Sequence, residues 1–278
     1  MNQSYSRFKF QENHNYATGW DAFAIDYSSL LQPDTVYTLT KQVMYAIVQK
    51  HVDLKKDMQV LDVNCGTGND FPYFLSKECR ITGCDISTGM LNKASETYRE
   101  QIADDRVRLF QGALEDLRTS DFAPESFDVI YSITGGFSYI DHAEMLRVFK
   151  CLRTFLKPNG KIITAHFGRF ALAESLFYFK KLRFKEALIR RKSKIHVRIK
   201  NKNFVMHLQK HQALTKLFRN DFKIDGVHPL LFRTPPYQTK FKPDVSRLNK
   251  LREIELNYID KKRLANFSDQ FVLVLSKK

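Results

Sequence analysis

The stretch VLDVNCGTGND, residues 60–70, constrains this chain more than any other. Apolar residues around Asp62 read as a buried strand, and Gly66 and Gly68 place a tight turn at its carboxyl end, directly before a helical stretch. Open α/β sheets bind ligands at the carboxyl ends of their strands, and glycine lets the backbone approach a ligand closely. A nucleotide moiety is therefore expected here. Two nucleotide classes fit poorly. A dinucleotide fingerprint needs glycine at the sixth position counted from Gly66, where Phe71 is expected to obstruct close helix-strand packing, and a Walker loop needs a Gly-Lys-Ser/Thr that does not follow.

Helical and strand-like periods alternate on either side of this turn. Val36, Leu39, Val43 and Ile47 recur at helical spacing over 34–51, and β-like runs follow at 58–63, 80–85, 106–111, 127–132 and 161–167. Met145, Phe149, Leu152 and Phe155 line one face of a helix over 141–156, which a Lys-Pro-Asn-Gly turn ends. The pattern then changes: 170–189 reads as an apolar and basic helix, and 194–210 as a hairpin. A short helix at 213–218, a strand at 222–227, a charged helix at 245–260 and a last strand at 270–276 close the chain. The expected fold is a Rossmann-like, doubly wound, mostly parallel seven-stranded sheet with a helical and hairpin cap inserted after strand five. The last two strands pair at one edge. One domain spans 1–278, comprising an N-terminal helical cap (1–51), a ligand-binding core (52–168), a basic cap insertion (169–212) and the end of the core (213–278).

No run of apolar residues is long enough to span a membrane, and the polar first residues lack a signal-peptide centre. A cytoplasmic protein is expected, at most peripheral at a membrane. Cys65, Cys79, Cys84 and Cys151 show no paired spacing, so reduced thiols and no metal are expected. The net charge of +15 is unevenly spread. Residues 1–167 carry about −3 and residues 168–278 roughly +18, with a dense basic run over Lys180–Lys202. That run reads either as the solvated face of a helix or as a surface for phospholipid, RNA or another anion.

The glycine turn resembles the first motif of class I S-adenosylmethionine-dependent methyltransferases, acidic-x-Gly-x-Gly-x-Gly, with Asp62, Asn64, Gly66 and Gly68 in register. Asn64 replaces the first glycine, and asparagine tolerates left-handed backbone. The resemblance implies that this loop contacts the methionine part of the cofactor, with Asp62 near its ammonium group. Asp85 ends the next strand, where a carboxylate can accept both ribose hydroxyls. The same resemblance assigns Asp85 that role and puts Ile86 and Met90 against the adenine. Ala113 and Leu114 line its other face, Ala113 standing where many relatives carry an Asp that accepts from the adenine amino group. Ser132 and Thr134 follow the fourth strand at the methionine end. WDAFAIDYSSL resembles a segment of the methyltransferases related to ubiquinone and menaquinone biosynthesis, with Trp20, Asp21, Ala24 and Tyr27 in register, and implies that Tyr27 closes the pocket. LKPNGKIITA resembles the same family's turn and fifth strand.

Methyl transfer from a sulfonium asks the protein mainly for alignment and exclusion of water. A hydroxyl or carbon acceptor also needs a base, for which His166 is the first choice and Tyr139 and His142 the alternatives. The insertion and HPLLFRTPPYQ (228–238) suggest a lid over a small lipophilic acceptor, O- or C-methylated and delivered from an anionic membrane surface. RNA methylation through the basic insertion, and a non-catalytic cofactor-binding module, are the competing readings.

Overall fold

The computed structural model describes residues 17, 19–21, 35–133, 135–199, 202–236 and 241–278. In chain order its strands are β1 (Gln59–Val63), β2 (Arg80–Asp85), β3 (Val107–Gln111), β4 (Phe127–Ser132), β5 (Leu156–Phe167), β6 (Lys194–Ile199), β7 (Lys202–His207), β8 (Phe222–Leu230) and β9 (Gln270–Lys277). Its helices are α1 (Val36–His51), α2 (Phe71–Leu75), α3 (Thr88–Thr97), α4 (Arg99–Ala103), α5 (His142–Phe155), α6 (Leu172–Lys180), α7 (Phe184–Ala187), α8 (His211–Phe218) and α9 (Val245–Tyr258).

Seven strands form one sheet in the order β3-β2-β1-β4-β5-β9-β8. The first five run parallel, and β9 is antiparallel to both β5 and β8. The alternation of side chains divides the core between two layers. Val272 and Val274 of β9 pack with Val43 and Ile47 of α1 on one face, whereas Phe271, Leu273 and Leu275 pack with Phe149 of α5 and Phe218 of α8 on the other. Phe149 stacks on Phe218 with ring centroids 4.2 Å apart. Helices on both faces fit strands that are apolar almost continuously, as in β9.

The helices begin where the sequence supplies acceptors for their free amides. Thr35 caps α1, Ser87 caps α3, Asp141 caps α5 and Asp244 caps α9, each side chain accepting from the amide three residues on. The Lys-Pro-Asn-Gly turn is drawn into β5 as a bulge: Phe127 pairs with Leu156, and the register resumes with Val129 opposite Lys161. Phe71 does not obstruct the packing of α2. Its ring is fully buried over two glycines, and a Cβ at Gly68 or Gly83 would come within 2.7 or 2.5 Å of it. The space that a third glycine would leave has moved to β2.

The insertion leaves and rejoins the core at one point. Gly168 bridges Gln209, whose amide donates to Phe167 O at 2.9 Å, and the Arg169 amide donates to Gln209 O at 3.1 Å. Arg190, 8% exposed, anchors the insertion from within: it pairs with Glu174 of α6 and with Asp269 beside β9, and donates to the carbonyls of Gly168 and Asp269. One charge of the basic run is thus structural. Glu255 of α9 fixes the loop after β8, accepting from the amides of Phe232, Arg233 and Thr234 and from Thr234 Oγ1. Among the described residues, no helix is long and apolar enough to cross a membrane.

Candidate active site

The carboxyl ends of β1, β2, β3 and β4 open into a cleft of about 770 Å³, counted out to its mouth. Its floor is the turn after β1. Asn64 has φ +62° and Gly66 φ +55°, and a Cβ built on Gly66 would meet nothing closer than Met90 Sδ at 4.0 Å. The backbone there is open to a ligand. The Gly66 amide donates to Asp85 Oδ2 at 2.8 Å and the Ser87 amide to Oδ1 at 2.9 Å, so Asp85 is held by the loop that it faces. Burial raises the Asp85 carboxyl to about 6, with the two amides pulling the other way.

Ile86, Met90, Ala113 and Leu114 supply an apolar wall, joined by Glu115, Gly136 and Ile140. Burial also raises Glu115 above the ordinary carboxylate range. Trp20 and Tyr139 add aromatic lining, and the buried Phe204 backs them from outside it. Trp20 meets Tyr139 at a ring-centroid distance of 5.9 Å and Phe204 at 5.7 Å, and Tyr139 meets Phe204 at 6.0 Å. This cluster joins the N-terminal segment, the turn after β4 and strand β7 of the insertion. Beside it, Asp21 Oδ1 accepts from Ser87 Oγ at 2.6 Å and from the Gly89 amide at 2.8 Å, clamping the N-terminal segment to the start of α3.

The structure therefore brings Asn64, Gly66, Asp85, Ile86, Met90, Ala113, Leu114 and Tyr139 to one cleft. Asp62, Gly68 and Ser132 lie outside its lining. Gly68 packs against Phe71 and Tyr98, whose hydroxyl donates to Gly68 O at 2.7 Å. Asp62 and Ser132 are buried, and Asp62 Oδ2 and Ser132 Oγ have no hydrogen-bond partner among the described residues, nor do Asn64 Nδ2 and Thr67 Oγ1. Tyr27 and Thr134 lie outside the described residues.

Two of the expected bases are not in the cleft. His166 is fully buried on the α5 face of β5, stacked on Phe271 at 5.6 Å, with Nε2 hydrogen-bonded to Thr164 Oγ1 at 2.9 Å. Burial lowers it to about 3. His142 Nε2 meets Gln209 Oε1 at 2.6 Å and lines a separate groove with Arg169, Lys194 and His207 at the base of the insertion. Sequence reasoning passed over the cleft residues Glu115, Gly136 and Ile140 and the backing residue Phe204; the double glycine Gly135-Gly136 was the one local signal near them.

Residues 60–160 match a methyltransferase domain family. The chain contains a methyltransferase domain. Over 152 residues, 52% of this chain, that domain is 29% identical to the sterol 24-C-methyltransferase of Clavispora lusitaniae, covering 37% of it. Over 121 residues, 42% of this chain, it is 34% identical to the demethylmenaquinone methyltransferase of Staphylococcus aureus, covering 46% of it. The chain thus spans less than half the length of these curated relatives. The fold extends further than the sequence likeness. The crystal structure of Burkholderia thailandensis 1,6-didemethyltoxoflavin-N1-methyltransferase, with bound 1,6-didemethyltoxoflavin and S-adenosylhomocysteine, superposes with a TM-score of 0.56 at 14% identity, over 99% of this chain and 94% of that one. The residues of the methyltransferase domain fit the cofactor chemically: an open glycine floor, an acid at the end of β2, an apolar wall, and buried polar atoms without partners around the turn.

Proposed function

We propose that this chain transfers a methyl group from S-adenosylmethionine to oxygen or carbon of a small lipophilic acceptor. The observation that carries the reading is the cleft itself, which gathers Asp85, the glycine turn, Trp20 and Tyr139, with Phe204 packed behind the two aromatic rings. Asp85 accepts the ribose hydroxyls, and its bonds to Gly66 and Ser87 fix its orientation before the cofactor arrives. Ile86 and Met90 hold one face of the adenine, and Ala113 and Leu114 the other. Glu115, two residues from the alanine that replaces the family's usual Asp, accepts from the adenine amino group. Asp62, Asn64 and Ser132 receive the amino-acid end, which supplies partners for their buried polar atoms.

When bound, the cofactor supplies a methyl group on a positively charged sulfur. The protein's part is to align the acceptor with that group and keep water out. The aromatic cluster does both for an apolar acceptor, and the relatives named for sterol and demethylmenaquinone methylation support an acceptor of that kind. Tyr139, the one of the three expected bases that lines the cleft, orients the acceptor by hydrogen bonding, and the acceptor's proton leaves to solvent as the methyl group arrives.

Titration calorimetry with S-adenosylhomocysteine tests the site. Charge-assisted hydrogen bonds contribute about 1.5–3 kcal/mol each, so Asp85→Ala is expected to weaken binding by about 100-fold or more. Unchanged affinity overturns the assignment. Incubation with methyl-labelled cofactor and a lipid extract then tests the acceptor class, with label expected in the organic phase in wild type and not in Asp85→Ala. Tight binding without label in any fraction would instead mark a non-catalytic binding module.

A further inference from the structure

The turn between α6 and α7 holds a leucine in a backbone conformation that leucine disfavours. Leu182 has φ +56° and is 76% exposed, so its crowded Cβ is not offset by packing. Glycine or asparagine would sit there more easily. The residue is part of a larger feature. Of the eleven large apolar side chains that stand exposed among the described residues, eight fall within 170–189. Phe184 and Leu176 follow Leu182 at 55% and 49%. Phe179 and Phe184 meet across the turn with ring centroids 5.8 Å apart, so both helices contribute to one patch.

Cations surround it. Residues 170–192 contain seven Lys and Arg against two Glu. Arg190 is consumed inside the fold and Arg183 pairs with Glu186, but Lys180, Lys181 and Lys185 are in no ion pair among the described residues. An aliphatic tip beside uncompensated lysines is complementary to a surface whose interior is hydrocarbon and whose rim is anionic. A second copy of this chain would bring the same positive charge to the contact. RNA would match the charge but leave Leu182 and Leu176 without a partner, since bases stack on aromatic rings and arginine planes.

We propose that the α6–α7 turn is a docking surface for an anionic phospholipid bilayer. Leu182, Phe184 and Leu176 enter the boundary between headgroups and acyl chains, and Lys180, Lys181 and Lys185 meet the phosphates. The contact needs neither cofactor nor acceptor, so it is tested separately from methyl transfer.

The test is co-sedimentation of the full chain with vesicles of phosphatidylcholine alone, and with about one third phosphatidylglycerol, at roughly 0.1 M salt. Wild type is expected to sediment with the anionic vesicles and to remain in solution with the neutral ones. Leu182→Asn is the discriminating variant: it relieves the backbone, so its Tm should be equal or higher, while vesicle affinity falls about tenfold. Removing each lysine charge costs about fivefold, so Lys180→Gln with Lys181→Gln should lose roughly 25-fold. Wild type left in the supernatant, or Leu182→Asn sedimenting like wild type, overturns the proposal. So does salt-sensitive retention on single-stranded RNA without vesicle binding. A wild-type dimer in light scattering that Leu182→Asn dissociates would make the patch an interface between copies, and also overturns it.

Discussion

The carboxamide of Asn64 occupies the space beside Gly136 that a side chain there would need: a Cβ at Gly136 would lie 2.7 Å from Asn64 Cγ. The residue that replaces the family's first glycine is therefore accommodated by a glycine on another loop. Gly136→Ala should force Asn64 off the cleft floor, destabilise the fold by about 1–3 kcal/mol and weaken S-adenosylhomocysteine binding about tenfold. Asn64→Gly in the same chain should restore most of both. A double-mutant cycle in thermal unfolding measures the coupling, expected at about 1 kcal/mol or more; additive effects would show that the two residues do not share the space.

Cofactor affinity should depend on pH through Asp85. Its carboxyl, raised to about 6 by burial, would accept from two ribose hydroxyls at full strength only when ionised. The free protein becomes protonated as pH falls through that value, so the Kd for S-adenosylhomocysteine should rise by up to about tenfold per pH unit below it, with proton release on binding. Asp85→Asn should bind weakly at every pH. An equally steep profile in the variant would place the titrating group elsewhere.

The anchor of the insertion is equally testable. Arg190 lies between Glu174 and Asp269, both themselves buried or nearly so. Arg190→Met leaves two carboxylates without their cation, and breaking one side of a buried pair costs about 3–5 kcal/mol. Chemical denaturation should show that loss. Arg191→Met, at an exposed neighbour, should change stability by no more than about 0.5 kcal/mol.

A histidine pair sets a different pH dependence. His228 Nδ1–H donates to Ile259 O at 2.7 Å, which leaves its Nε2 to accept from His51 Nε2–H, also at 2.7 Å. Burial is the first cause that holds both rings below the ordinary 6.5. The unfolded chain takes up protons near that value and the folded chain only at lower pH. The stability from this pair is therefore complete above about 6.5 and lost as pH falls. Asp85, with its raised pKa, acts with the opposite sign, so variants are compared with each other. The drop in Tm between about pH 7 and pH 5 should be shallower in His51→Gln than in wild type.

Much of this architecture could be read from periodicity. Residues alternating or recurring every three to four positions mark strands and helices because each element buries one side, and the acid at the end of β2 follows the glycine turn at a legible spacing. What periodicity cannot convey is which layer a buried residue enters once both faces of a strand are covered. His166 looked like a base for that reason, yet it faces α5 and the phenylalanines there. Arg190 was hidden in a run of cations from which only tertiary contacts distinguish it. Phe204 packs on two cleft residues, Trp20 and Tyr139, from a hairpin far along the chain, and no local signal announces such a contact. Phe71 read as an obstruction because the glycine that makes room for it, Gly83, belongs to another strand.

The narrow neck at Gly168 and Gln209 has a consequence for how such a protein can diversify. Because departure and return lie side by side, the lobe between them can change character without shifting the β5–β9 pairing or the glycine turn, provided that Arg190 keeps its hold on Asp269. Phe204, packed on Trp20 and Tyr139, and the Met206 cluster against which Tyr139 also packs, link the lobe to the cleft, so a few apolar contacts would couple what the site accepts to a scaffold that need not alter.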